Sequence, residues 1–315
     1  MWTTPCETHG YRKQGVGYGY NKVKGLNALL ATDTSGPVIV GQRLRRGGVN
    51  SARGAGKFLA DAIAAARRAG ARSRLCCRLD SAYYNHRVVA AIGKAGARFS
   101  ITARMDQAVA KAIAGIDENA WIPIKYPQAI YDQDEQRWIS DAQVAEIPYT
   151  AFTSTGHRVS ARLIVRRVNR LNPATAPQGQ GELFAAYRHH AVFTNSAEPM
   201  LTAEAHHRDH AIIEQVIADL KGSALAHFPS GKFTANAAWL ACTVIAYNLA
   251  RAAGVAAGGK LARARTATIR SMVINLPARV SYSAGNFTLH LPANSRSQAR
   301  FLAMFDTVHA PPRAA

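Results

Sequence analysis

The sequence predicts a mixed α/β fold. Three observations predict it. Short apolar runs at 27–32, 37–43, 74–79 and 97–103 alternate with amphipathic helical stretches. From 116 to 197 the texture changes to short alternating runs broken by Pro and Gly, the pattern of a β-rich insertion. After 198 helical patterns return and end in a basic tail. The expected organisation is 1–115 as the first part of a core, 116–197 as the insertion, and 198–315 as the helical remainder.

The elements follow in order. Residues 1–10 show no periodicity, and a Gly- and Tyr-rich segment follows, Gly17-Tyr18-Gly19-Tyr20. Runs 27–32 and 37–43 flank Asp33-Thr34-Ser35-Gly36, a turn between two antiparallel strands. Ser51 is placed to cap a helix reaching 69, with Phe58, Leu59, Ala62, Ile63 and Ala66 on one side. A strand at 74–79 stops at Asp80. A helix at 85–95 turns Val88, Val89 and Ile92 inward, and a strand follows at 97–103. Runs 142–147, 157–166 and 182–193 are strands of the insertion, with a Pro/Gln/Gly loop at 169–181. Helices are expected at 202–220 and 234–253, then a hairpin around Ala284-Gly285-Asn286 and a last helix from about 295. Two antiparallel strands, then helix, strand, helix, strand, is the order of a ribonuclease H-like sheet lacking its first strand.

Composition narrows the partners. Apolar residues make up 48% of 315, enough for a packed core. Lys and Arg number 39 against 19 Asp and Glu, a net charge of +20. Such an excess points to a polyanion. It is spread widely: ten basic residues against Asp61 alone from 43 to 78, and nine against Asp306 alone from 251 to 315. No uninterrupted apolar run reaches the ~18 residues of a bilayer span, and the start has no signal-peptide core. Cys76 and Cys77 sit in a strand-like run, which reads as buried reduced thiols.

Two carboxylates stand out. Asp80 ends a strand in Arg78-Leu79-Asp80-Ser81, where open α/β sheets place ligands and an oxygen donor can hold a divalent cation. A turn cap is the plainer role for a lone Asp there. Glu214 lies in a helical stretch with His207, His210 and Lys221 at offsets that share one face. That face suits a metal and a phosphate together; a solvated charged face is the alternative. His206, His207 and His210 with His189 and His190 match no zinc-site spacing. Trp121 and Trp138 could stack on a base, though packing is the commoner use of such rings.

At Glu214 and Lys221 the chain resembles the DDE transposases of bacterial insertion sequences, the cut-and-paste type with a β-rich insertion. That helix carries a Tyr-x2-Arg-x3-Glu-x6-Lys signature in the family. Glu214 and Lys221 keep its spacing, with His207 in the Tyr position and His210 in the Arg position. The segments His9-Gly10-Tyr11-Arg12-Lys13-Gln14-Gly15 and Pro229-Ser230-Gly231-Lys232-Phe233 are similar to one branch of these enzymes. The resemblance implies that Asp80 and Glu214 are the second and third catalytic carboxylates and metal ligands. It implies Mg²⁺ or Mn²⁺ as cofactor in a two-metal site. Lys221, His210, His207 and Arg208 would bind DNA phosphate. Double-stranded DNA at transposon ends is the implied partner, with a homodimer in a synaptic complex and a cytoplasmic place beside the nucleoid. The family's first Asp lies on its first strand, and 1–5 holds no carboxylate. The expectation is an N-terminally truncated chain with impaired cleavage and poor solubility. A catalytically inactive DNA-binding remnant is the alternative reading, and a structure-specific nuclease on the same fold a more distant one.

Overall fold

The computed structural model describes residues 1–9, 12–19, 22–126, 130–133, 136–139, 141–169, 187–209, 211–292 and 295–310. In chain order the strands are β1 (Trp2–Glu7), β2 (Gly17–Tyr18), β3 (Lys24–Asp33), β4 (Val38–Arg45), β5 (Cys76–Leu79), β6 (Arg98–Thr102), β7 (Ile122–Pro123), β8 (Ile130–Asp132), β9 (Arg137–Ile139), β10 (Ala142–Ala151), β11 (Val159–Asn169), β12 (Tyr187–Thr194), β13 (Arg279–Ser283) and β14 (Asn286–His290). The helices are α1 (Ala55–Arg68), α2 (His86–Lys94), α3 (Gln107–Ala114), α4 (Met200–Arg208), α5 (Ala211–Lys221), α6 (Phe233–Ala257), α7 (Thr266–Ile269) and α8 (Gln298–His309). The chain divides into two compact units, Met1–Trp2 with Asn50–His210, and Thr3–Val49 with Ala211–Ala315.

In the second of these units β3 is the centre of a four-stranded sheet and bonds to β1, β2 and β4. Leu26, Ala28, Leu29 and Leu30 of β3 are fully buried. Val216 and Leu220 of α5 and Leu240, Val244 and Tyr247 of α6 complete this core. The Asn248 side chain accepts from Ile39 N at 3.0 Å and donates to Ile39 O at 2.9 Å, which satisfies backbone on β4. The β3–β4 turn is tied by the Asp33 carboxylate, which accepts from Ser35 N and Oγ at 2.9 and 2.7 Å. The expected loss of the leading strand is corrected here: the aperiodic start forms β1, which pairs with β3. Its Thr4 and Cys6 point inward while Thr3 and Pro5 are half-exposed, an alternation carried by polar and small residues that hydropathy does not register.

The other unit is a six-stranded sheet in the order β5-β6-β12-β11-β10-β7. β5 and β6 are parallel, joined through α2, and the remaining pairs are antiparallel. α1 and α2 bury the apolar residues the periodicity selected. Within the stretch 116–197, β12 pairs with β6 and continues its ladder. Two boundaries differ from expectation. α1 begins at Ala55 behind Gly54 in the left-handed region, so Ser51 is not its cap. The single helix expected at 202–220 is two, α4 and α5, with Asp209 leaving helical geometry between them. The expected 169–181 loop lies outside the described residues beyond Asn169.

The cysteines are free. Cys6 is buried, and burial raises its thiol to about 11. Cys76 starts a strand at the end of its sheet and is exposed, and Cys77 is half-buried, so the expected burial of this pair is not found; Cys242 is exposed as well. By length and composition α6 could cross a membrane, although polar residues interrupt its apolar run. Its Leu240, Val244 and Tyr247 instead belong to a protein core.

Candidate active site

Asp80 follows the last residue of β5 and caps the short turn Ser81–Tyr83. Its Oδ1 accepts from Ala82 N at 2.8 Å, which fixes the carboxylate. Burial raises its pKa, opposed by this hydrogen bond and by the N-terminal ammonium. That ammonium donates to Arg78 O at 3.0 Å. Asp80 thus does the work of a turn cap and also presents a half-buried, desolvated carboxylate at a strand end.

Glu214 lies exposed in the first turn of α5, where an acid also favours the helix dipole. Lys221 is exposed at the last residue of α5, close enough to Cys6 of β1 to pull its thiol pKa down against burial. Asp80 belongs to one compact unit, and Glu214 and Lys221 to the other. His210 lies outside the described residues.

The shared helix face proposed for His207, Glu214 and Lys221 does not exist, because His207 is on α4. His207 is buried. Its Nδ1 meets Ser100 Oγ at 2.8 Å and its Nε2 meets Thr102 Oγ1 at 2.9 Å. Both ring nitrogens are engaged, so His207 fastens α4 to β6 and is not a surface contact for phosphate. Arg208 points to Glu204, 3.5 Å away, and over the Tyr126 ring. Glu204 is buried and also binds Arg166 at 2.5 Å. Sequence reasoning missed this Arg166–Glu204–Arg208 cluster. The i,i+4 spacing of Glu204 and Arg208 was its one visible sign.

Trp121 is likewise occupied. The Arg167 guanidinium lies 4.3 Å from its ring centre and 4.4 Å from that of Tyr187, and pairs with Glu118 at 2.8 Å. The Trp138 side chain lies outside what is described. Among the described residues no group of three or more His, Cys, Asp or Glu side chains could hold a metal. Asp80 and Glu214 each offer hard oxygen donors suited to Mg²⁺ or Mn²⁺, one carboxylate in each unit.

The family model for the transposase DDE domain, group 1, matches residues 1–312. The chain belongs to this family. A search of curated proteins finds no match. A DDE transposase domain accounts for the mixed α/β, ribonuclease H-like architecture. The family uses divalent metals and acts on DNA in general, and this transposase carries its net charge of +20 accordingly.

Proposed function

We propose that this transposase binds double-stranded DNA at transposon ends and cleaves and joins strands with a divalent metal. The observation that carries the reading is Asp80: an oriented, desolvated carboxylate at the C-terminal end of a parallel strand, in a chain matched by the family over residues 1–312. Asp80 and Glu214 would hold Mg²⁺ or Mn²⁺. When bound, such ions activate an attacking oxygen and stabilise a leaving one. Lys221 and His210 would hold DNA phosphates in register. The basic stretches at 43–78 and 251–315 would supply sequence-independent affinity for the backbone. Two copies would hold two ends.

The test is nicking of a DNA carrying the element's own ends, with Mg²⁺, Mn²⁺ or EDTA. Metal-dependent nicking should disappear in Asp80→Ala and in Glu214→Ala, each by at least about a hundredfold, since carboxylate ligands act as a unit. Nicking that survives both changes would refute the assignment. One observation favours a second reading. The one acid on β1 is Glu7, exposed at its end, and among the described residues no three His, Cys, Asp or Glu side chains cluster to hold a metal. On that reading the chain binds DNA without cutting it, and binding persists in EDTA while no nicking occurs with either metal.

A further inference from the structure

We propose that the outward face of α6 is a self-association surface, on which a second copy of this chain packs helix against helix and antiparallel. The inward side of α6 belongs to the core, through Leu240, Val244 and Tyr247. A helix with one buried side normally shows water its charged side. α6 does not. From Phe233 to Ala250 it has no charged residue at all, in a chain of net charge +20. Ile245, Leu249 and Val255 are 58%, 66% and 57% exposed.

The pattern on that face identifies the occupant. Ala238, Cys242, Ile245, Leu249, Ala252 and Ala256 recur at alternating steps of four and three, the repeat of a two-helix seam. All but the half-exposed Ala256 are exposed. The six positions are also symmetric about residue 247. Turned end for end, a second α6 sets Ile245 against Leu249, Cys242 against Ala252, and Ala238 against Ala256. Large side chains meet at the centre and small ones meet at the ends. A surface that matches its own reverse is what a two-fold interface requires.

The alternatives fit less well. An uncharged seam offers a polyanion nothing to bind. For a bilayer, α6 would have to leave the protein, yet Arg251 is buried on it and donates to Ala264 O at 2.5 Å and to Ala262 O. α8 packs beside the C-terminal part of α6, with Thr307 Oγ1 donating to Ala256 O at 3.2 Å, and leaves Leu302, Phe305 and Val308 exposed. With these, the exposed large apolar side chains offer on the order of 600 Å² per copy, near the roughly 800 Å² that each partner gives to a standard interface.

The test uses the full chain, nuclease-treated and in high salt so that DNA cannot bridge copies. Light scattering behind size exclusion should give twice the 33.9 kDa chain mass. Ile245→Glu with Leu249→Glu should return it to the single mass, with circular dichroism and thermal melt unchanged because both side chains are exposed. For orientation, with Cys76 and Cys242 both changed to Ser, Ala246→Cys places the two new thiols within about 3 Å along the seam axis, whereas Ala235→Cys separates them by about 36 Å. A short bismaleimide should cross-link the first and not the second. A single-chain mass at tens of micromolar, a dimer indifferent to the glutamates, or cross-linking through position 235 would overturn the proposal. So would capture of the wild type on neutral lipid vesicles with no change in mass, which would mark a membrane surface. None of these readings depends on metal or cleavage, so failure here leaves the assignment of Asp80 and Glu214 standing, and the converse holds too.

Discussion

His207 and Glu204 show how a side chain's partners decide its role. His207 has Ser100 on one nitrogen and Thr102 on the other. Replacing it with Ala removes both hydrogen bonds and leaves two buried hydroxyls seeking partners. The expected cost is about 1–3 kcal/mol in urea unfolding, with the salt dependence of DNA binding unchanged. A role in phosphate binding would instead lower that salt slope. Glu204→Gln should cost more, roughly 3–5 kcal/mol, because it strips the charge that neutralises Arg166 and Arg208 in a buried setting. Unchanged stability in that variant would mean that water, not Glu204, satisfies the two guanidiniums. Asp80 was legible in the sequence because a strand that stops at an Asp is a local signal. The role of His207 was not. Its spacing from Glu214 is that of one helix face, and only tertiary contact reveals that the face is interrupted.

The elements tell the same story one level up. Residues 202–220 contain no Gly or Pro, and Ile212, Ile213, Val216, Ile217 and Leu220 fall at helical spacing, so one helix was the natural expectation. Yet α4 is tied to β6 and β11 through His207 and Glu204, while Val216 and Leu220 of α5 fill the core beneath β3. Two cores claim the two ends of this segment, and the helix yields at Asp209, a residue of low helix propensity. The strand β1 was hidden for the opposite reason: its pairing is made by backbone and its inward residues are Thr and Cys. Glycines mark where the backbones of that sheet press together. A Cβ at Gly25 would lie 2.1 Å from Cys6 O, and one at Gly47 would lie 2.1 Å from Gly25 O. Gly25→Ala should therefore destabilise by about 3 kcal/mol or more, or prevent folding, whereas Gly93→Ala on exposed α2 surface, with nothing within 4 Å, should be neutral or stabilising. Equal effects of the two would show that the strands can spread. β12 adds a pH dependence. Burial first, and then the charges of neighbouring arginines, hold His189 and His190 below the ordinary imidazole range. The unfolded chain therefore takes up protons first as pH falls below about 6.5, and stability declines from there downward. The urea midpoint should be lower at pH 5.5 than at 7.5, and His189→Asn with His190→Gln should flatten the difference.

For the whole molecule, charge and apolar surface point to different partners. The +20 excess lies along much of the chain, but α6 from Phe233 to Ala250 is free of it. Composition alone made the first fact legible. The second needed the structure, because an apolar helix reads as buried until one side of it is found exposed. Binding to DNA should follow the first fact. Each phosphate neutralised by Lys or Arg releases counterions, so affinity for any duplex should fall steeply between 50 and 200 mM salt, by on the order of a thousandfold if six or more contacts form. Exposed basic residues such as Arg53, Arg72 and Arg74 should contribute to this alike, whatever the sequence of the duplex. Changing the three together to Gln should weaken binding to specific and random duplexes by the same factor and reduce the slope of log K against log salt by up to about three. The Ile245→Glu, Leu249→Glu pair should leave that slope per chain intact. A slope near zero in the wild type would remove the electrostatic basis for DNA binding. A loss confined to one duplex sequence in the arginine variant would show that these side chains read bases and not phosphates.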